Sequence, residues 1–149
     1  MDTREESLRL LREAEEDLGR AVRYSGLKDW ITTIHYAQLA TEKSTKALIS
    51  CFESFEWTHD PSEQIRKLVR KGLLNNDLLK IASHVKEAAP WHGRSTYGGV
   101  KKGVWRSPSE FCTEEEATNL LHKAKESVNR AIEFIEKFWG SGTYEYQKD

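Results

Sequence analysis

Cysteine is scarce: only Cys51 and Cys112 occur, far apart and in no CxxC pairing. That excludes a disulfide framework and a cysteine-rich zinc site, and fits two small buried residues in a reducing compartment. Three prolines and nine glycines in 149 residues are too few for a collagenous or low-complexity chain. No apolar run approaches the ~18–20 residues that a membrane span needs. The opening MDTREESLRLLREAEE is charged throughout and lacks the apolar stretch of a signal peptide. Neither charge dominates: 23 basic and 24 acidic side chains leave a formal net charge of −1. Global charge thus gives no reason to expect nucleic acid, and any basic site must be local. The motifs GxxxxGKS/T, GxSxG and HExxH are missing too. The expectation is a soluble cytoplasmic protein, not membrane-bound, with no metal and no cofactor.

What is present is helical pattern. Five Trp, five Tyr and five Phe are too many for a disordered chain. Leu8, Leu11, Ala14, Leu18, Ala21 and Val22 predict a helix over about 3–24. Trp30, Ile34, Ala37, Thr41, Ser44, Leu48 and Phe52 predict a second over about 28–54. Ala40, Ala47 and Cys51 flank that stripe, and so many small residues imply close approach of another helix. Asp60-Pro61-Ser62-Glu63 predicts a capping box opening a short helix that ends at Gly72. A further short helix starts at Asn75 or Asn76 and closes at Pro90. Thr113 caps a long last helix, with Glu116 at the capping-box position and Gly140 as its stop. No stretch alternates as a strand. The fold class is all-α: an antiparallel up-and-down bundle of three long and two short helices. It forms a single domain over 1–140, followed by a polar tail over 141–149.

The segment from Pro90 to Ser109 shows no clear secondary structure, and such long connections are functional or disordered more often than not. It holds Arg94, Lys101, Lys102 and Arg106 with no Asp or Glu, a formal +4, together with Trp91, Tyr97, Trp105 and four glycines. Cations neutralise phosphate, aromatics stack on bases, and glycines let backbone N–H groups approach a ligand. The alternative is an ordered surface loop with packed aromatics and solvated charges. At least one aromatic should anchor it on the bundle.

Gln38, Glu42 and Lys46 lie at i, i+4, i+8 on the second helix. Taken alone they match a surface Glu-to-Lys pair worth ~0.3–0.5 kcal/mol. His59 precedes a helix start that favours anions, so it is either structural or an acid/base or ligand donor. Glu56 and His59 spell ExxH once, without the second copy that a di-iron site requires.

Four pieces in order resemble the HEPN family, helical domains often paired with small nucleotidyltransferases. AEEDLGRAV (14–22) is similar to the acidic-Leu-x-x-Ala start. AQLATEKSTKAL (37–48) resembles the A-x-x-A-x-E-K-x-x-K-A signature. Thr58-His59-Asp60 resembles the T-H-D element. Arg94-Ser95-Thr96-Tyr97 resembles the Arg-Tyr element, with Ser95 and Thr96 intervening. The match covers about 3–138.

The resemblance implies a helical bundle, often a homodimer, with nucleotide or RNA as ligand and a separately encoded nucleotidyltransferase as partner, in a toxin–antitoxin-like or stress/defence setting. The second helix and the basic loop are the candidate dimer contacts. Lys46, Arg94, Lys101 and Lys102 would contact phosphate, Tyr97 would stack or hydrogen-bond, and His59 and Asp60 would set the geometry. The family's Arg-x4–6-His ribonuclease motif is absent, since no Arg has a His five to seven positions after it. A non-catalytic binding module is therefore the first expectation. One alternative is a metal-independent ribonuclease with a rearranged centre, His59 or His92 as base and Arg94 stabilising charge. Another is a bundle that only binds protein.

Overall fold

Asp2 accepts the Glu5 N–H and starts helix α1 (Thr3–Gly26); Asp29 caps α2 (Trp30–Ile49) in the same way through the Thr32 N–H. Side-chain acceptors at these positions satisfy amides that the helix itself leaves orphaned. Thr113 does the same for the long α7 (Glu114–Trp139), and the left-handed Gly140, φ 107°, ends it. The computed structural model describes residues 2–140; the 141–149 tail lies outside the described residues.

Between these helices come α3 (Ser62–Arg70), a 3-10 turn (Asn76–Leu78) and α4 (Leu79–Ala88). Then follow α5 (Trp91–Tyr97), strands β1 (Gly99–Lys101) and β2 (Val104–Arg106), and the single-turn α6 (Pro108–Phe111). The all-α expectation holds, with the three long helices in their expected places. Among the described residues no helix is long and apolar enough to cross a membrane.

Helix α2 is the centre. It packs on α1, α7, α4 and α5, and is buried almost throughout its C-terminal two-thirds. Its small residues serve this chain's own bundle. Ser7 of α1 donates to the Ala47 carbonyl at 2.9 Å and accepts from Trp139 Nε1 of α7 at 3.3 Å. One hydroxyl thus joins the three long helices. The buried C-terminal part of α2, covered by its own chain, offers no surface to a second copy; Ile31, His35, Tyr36 and Leu39 stay part-exposed. Leu11, Ile34, Leu48, Ile65, Ile81, Leu120 and Ile135 fill the core.

Several local expectations are corrected. Helix α2 stops at Ile49, and Phe52 packs on the core from beyond it. Asp60 does not cap α3; Pro61 holds that position, while Asp60 accepts the Ser62 N–H and Glu63 pairs with Arg66 instead of closing a capping box. The Pro90–Ser109 segment is structured. Pro90, φ −61°, sits at the N-terminal boundary of α5, where a residue without an N–H costs nothing.

A two-residue turn, Lys102 (φ 53°) and Gly103 (φ 76°), joins β1 to β2 with Val100 opposite Trp105. Two consecutive positive φ values are what a tight hairpin turn demands. At Gly98 (φ 82°) a Cβ would lie 2.0 Å from the Arg106 carbonyl oxygen. Gly98 and Gly103 are thus required by the chain's own geometry. The expected anchor is Trp91, which is buried and edge-on to Phe111.

Burial pushes both cysteine thiols up to about 11. The thiolate is the nucleophile, so both should resist an aromatic disulfide reagent at pH 8 until denaturant is added. Rapid labelling of the native protein would contradict this packing.

Candidate functional site

The polar ladder of α2 is not on the surface. Gln38 is fully buried, and Glu42 and Lys46 are each only 7% exposed. Gln38 Nε2 donates to Glu42 Oε1 at 2.8 Å, and Lys46 Nζ donates to Oε2 at 2.9 Å. The Lys46 ammonium also lies 4.9 Å from the Phe55 ring centroid. The surface-pair reading therefore gives way to a buried ion pair, and Lys46 is committed to Glu42. Burial alone would raise the Glu42 pKa. Hydrogen bonds from Lys46, His59 and Gln38 and the Lys46 charge outweigh it and hold Glu42 below its ordinary 4.5.

His59 reaches this carboxylate from the segment before α3. Gln64 orders that segment by donating to Glu53 Oε2 and the Ser54 carbonyl and accepting the Glu56 N–H. Thr58 Oγ1 accepts the Asp60 N–H, and Asp60 Oδ1 accepts the Ser62 N–H. The two turns clamp His59, whose Nδ1 lies 2.9 Å from Glu42 Oε1. Asp60 is thus a turn former that positions its neighbour.

Helix α5 brings His92. Its ring stacks on that of His59, centroids 3.9 Å apart and planes 22° apart, and its Nδ1 lies 3.0 Å from Gln38 Oε1. His35 meets Ser95 Oγ at 3.4 Å on the same face. Chemistry settles the tautomers. A carboxylate only accepts, so Gln38 must give its NH2 to Glu42 and its oxygen to His92. In its neutral form each imidazole then carries its proton on Nδ1 and holds an Nε2 lone pair that no described residue occupies. One donor atom from each of Glu42, His59 and His92 lies within 4.8 Å of the others. Linear spacing hides this trio, because its members come from α2, a turn and α5.

The other expected residues gather elsewhere. The Arg94 guanidinium lies 5.1 Å from the Trp91 ring centroid and 5.9 Å from that of Phe111. Lys101, Lys102, Arg106, Glu110 and Phe111 line a shallow groove of about 250 Å³ beside the hairpin. Tyr97, Val100 and Trp105 are exposed. Arg106 pairs with Glu110 at 3.1 Å; Arg94, Lys101 and Lys102 have no carboxylate partner among the described residues. The single expected site is therefore two: a histidine–carboxylate cluster with Lys46, His59 and Asp60, and a basic hairpin with Arg94, Tyr97, Lys101 and Lys102.

A family model, the HEPN domain, matches residues 7–139. The chain belongs to the HEPN family. Among curated proteins none matches it. Three of the four pieces that carry the resemblance are in physical contact in this HEPN domain: Lys43 of the second pairs with Asp17 of the first at 2.8 Å, and Glu42 of the second meets His59 of the third.

The cluster's geometry has consequences for stability. Glu42→Ala leaves the Lys46 ammonium buried and unpaired, a change that costs about 3 kcal/mol, the low end for a broken buried pair because His59 opens one side to water. Urea denaturation measures it, and adding Lys46→Met should recover part of the loss. His92 is held below its usual 6.5 by burial foremost, then by the His59 and His35 charges, against the opposing pull of Glu42. Between its midpoint and 6.5 the unfolded chain binds a proton that the folded chain does not, so stability falls as pH drops through that window. In a metal-free NMR titration His59→Ala should raise the His92 midpoint; a fall would contradict the assigned contacts.

Proposed function

We propose that this HEPN module binds the phosphates of a nucleotide or RNA on its basic hairpin, without cleaving it, and acts with a separately encoded nucleotidyltransferase. The observation that carries the reading is that Arg94, Lys101 and Lys102 lack acidic partners among the described residues, in a chain whose net charge is only −1. Arg94 rests on two rings, which hold its guanidinium in place while its N–H edge stays able to grip phosphate with two parallel bonds. Tyr97 and Trp105 present exposed rings beside these cations, as single-strand binding uses them. The exposed Val100 and Val104 support the hairpin as the surface through which a cytoplasmic homodimer would form. Lys46 has no direct part in this reading.

Fluorescence anisotropy with a short single-stranded RNA over a range of salt tests it. Lys101→Ala/Lys102→Ala should weaken binding and reduce the log–log salt slope by about 0.7 for each phosphate that is no longer neutralised. Arg94→Ala should cost more than either lysine alone. An unchanged affinity and slope in the double variant would refute the assignment.

A second reading is favoured by one observation, the paired imidazoles with unoccupied Nε2 lone pairs. It is the ribonuclease alternative, with one histidine as base and its protonated neighbour as acid. Cleavage of single-stranded RNA in EDTA, abolished in His59→Ala and in His92→Ala, would establish it in place of the non-catalytic reading.

A further inference from the structure

Glu42 holds two oxygens in the protein interior, and Lys46 takes up one of them. The other, Oε1, accepts from Gln38 Nε2 at 2.8 Å and from His59 Nδ1 at 2.9 Å, beside the ring of His92 that stacks on His59. Two imidazoles from separate segments lie face to face here, each with its Nδ1 proton already given away, to Gln38 and to Glu42. What remains on each ring is the Nε2 electron pair.

We propose that Glu42, His59 and His92 form a binding site for a borderline divalent cation, Zn2+ foremost, through one carboxylate oxygen and one nitrogen from each ring. Two histidines and one glutamate are a donor set that holds zinc with a fourth position open to water or a ligand oxygen. Imidazole nitrogens favour Zn2+, Co2+ or Ni2+ over Mg2+ and Ca2+, which require oxygen.

Tetrahedral bonds of about 2.1 Å place ligand atoms about 3.4 Å from one another. The three donor atoms, within 4.8 Å of one another, must close by roughly an ångström, while the 2.9 Å His59–Glu42 contact opens slightly as the cation replaces its proton. The movement falls to His59, whose side chain is 55% exposed and has room to turn. If His59 ligates through Nδ1, the displaced proton passes to its Nε2, so the neutral ring keeps its charge. The outer contacts that orient metal ligands are in place. Gln38 fixes His92 with Nε2 as its donor, and Lys46 occupies the second Glu42 oxygen, which keeps the carboxylate monodentate. The site stands apart from the hairpin, so the proposal does not depend on RNA binding.

Calorimetric titration of the EDTA-stripped protein with Zn2+ tests it. The expected result is one ion per chain, with Co2+ giving the intense visible bands of a tetrahedral site. His59→Ala, His92→Ala and Glu42→Gln should each weaken binding by at least ~10-fold, the lower end of what even outer contacts cost. His84→Ala and His122→Ala should leave it unchanged. Co2+ should also broaden the ring protons of His59 and His92 in the unmodified protein ahead of those of the other histidines, a readout that needs no variant to fold. Absence of saturable binding, broadening centred on other histidines, or loss of binding in His84→Ala instead of His59→Ala would overturn the proposal.

Discussion

A carboxylate inside a helical core is the constraint on which the rest of this structure turns. Desolvation makes an unpaired buried anion intolerable, and Glu42 sits on the helix that every other long element packs against. Its needs are met in sequence and in space. Lys46 is one turn ahead and Gln38 one turn behind, both at the spacing that puts side chains on one helix face. The third partner, His59, must be delivered by a segment with no helical geometry of its own. Gln64, Thr58 and Asp60 use their hydrogen bonds to order that segment. A second buried amide, Gln38, then leaves an acceptor to satisfy, and His92 on α5 supplies the donor.

The same logic accounts for Lys43, the neighbour of Glu42 in sequence but on a different face of α2. It reaches across to Asp17, which is nearly buried on α1, and to Glu13. Desolvation opposes its charge, and the two carboxylates outweigh that and raise its pKa. The adjacent Glu-Lys pair thus directs one charge toward the histidines and the other toward α1. Neither serves as the exposed intrahelical pair that its spacing suggests. A substitution of Glu42 and one of Lys43 would therefore disturb different interfaces, one with the 54–61 turn and α5, the other with α1.

The long helices are legible in the sequence because an apolar stripe at 3.6-residue spacing is a local signal, and it runs through Leu8–Ala21 and Ala117–Ile135 without interruption. The candidate site is not, because burial of Gln38, Glu42 and Lys46 is decided by what lies over them. A polar ladder on a helix reads the same whether water or α5 covers it. A usable hint exists: the residues flanking the ladder are Ala37, Ala40, Thr41, Thr45 and Ala47, small enough to suit a helix enclosed on all sides. The hairpin escapes for a different reason. Its strands are three residues each, too short to show alternation, and its turn is Lys-Gly where Asn-Gly would announce it. Helix α5 is hidden because Pro90 reads as the end of α4, whereas its fixed φ suits the start of a new helix equally well.

Helix α5 is what connects the two sites. One face carries His92 and Ser95 against Gln38 and His35 of α2. Arg94, between them in sequence, lies over Trp91 and Phe111, and its stem packs beside Gly99 at the start of the hairpin. A two-stranded hairpin has too few internal contacts to hold itself in place. Its position is set by Gly98, by the Arg94–Phe111 stack and by the Ser107–Glu110 capping box that begins α6. All of these trace back to α5 or to the residues that pack on it. A ligand drawing Arg94 away from its rings would act on a seven-residue helix whose opposite face holds one of the two stacked imidazoles. The hairpin and the histidine cluster are distinct in chemistry, one offering cations and the other electron pairs. Their relative placement is nonetheless fixed by this one short helix, and His92 cannot keep both its Gln38 bond and its stack on His59 if α5 rotates.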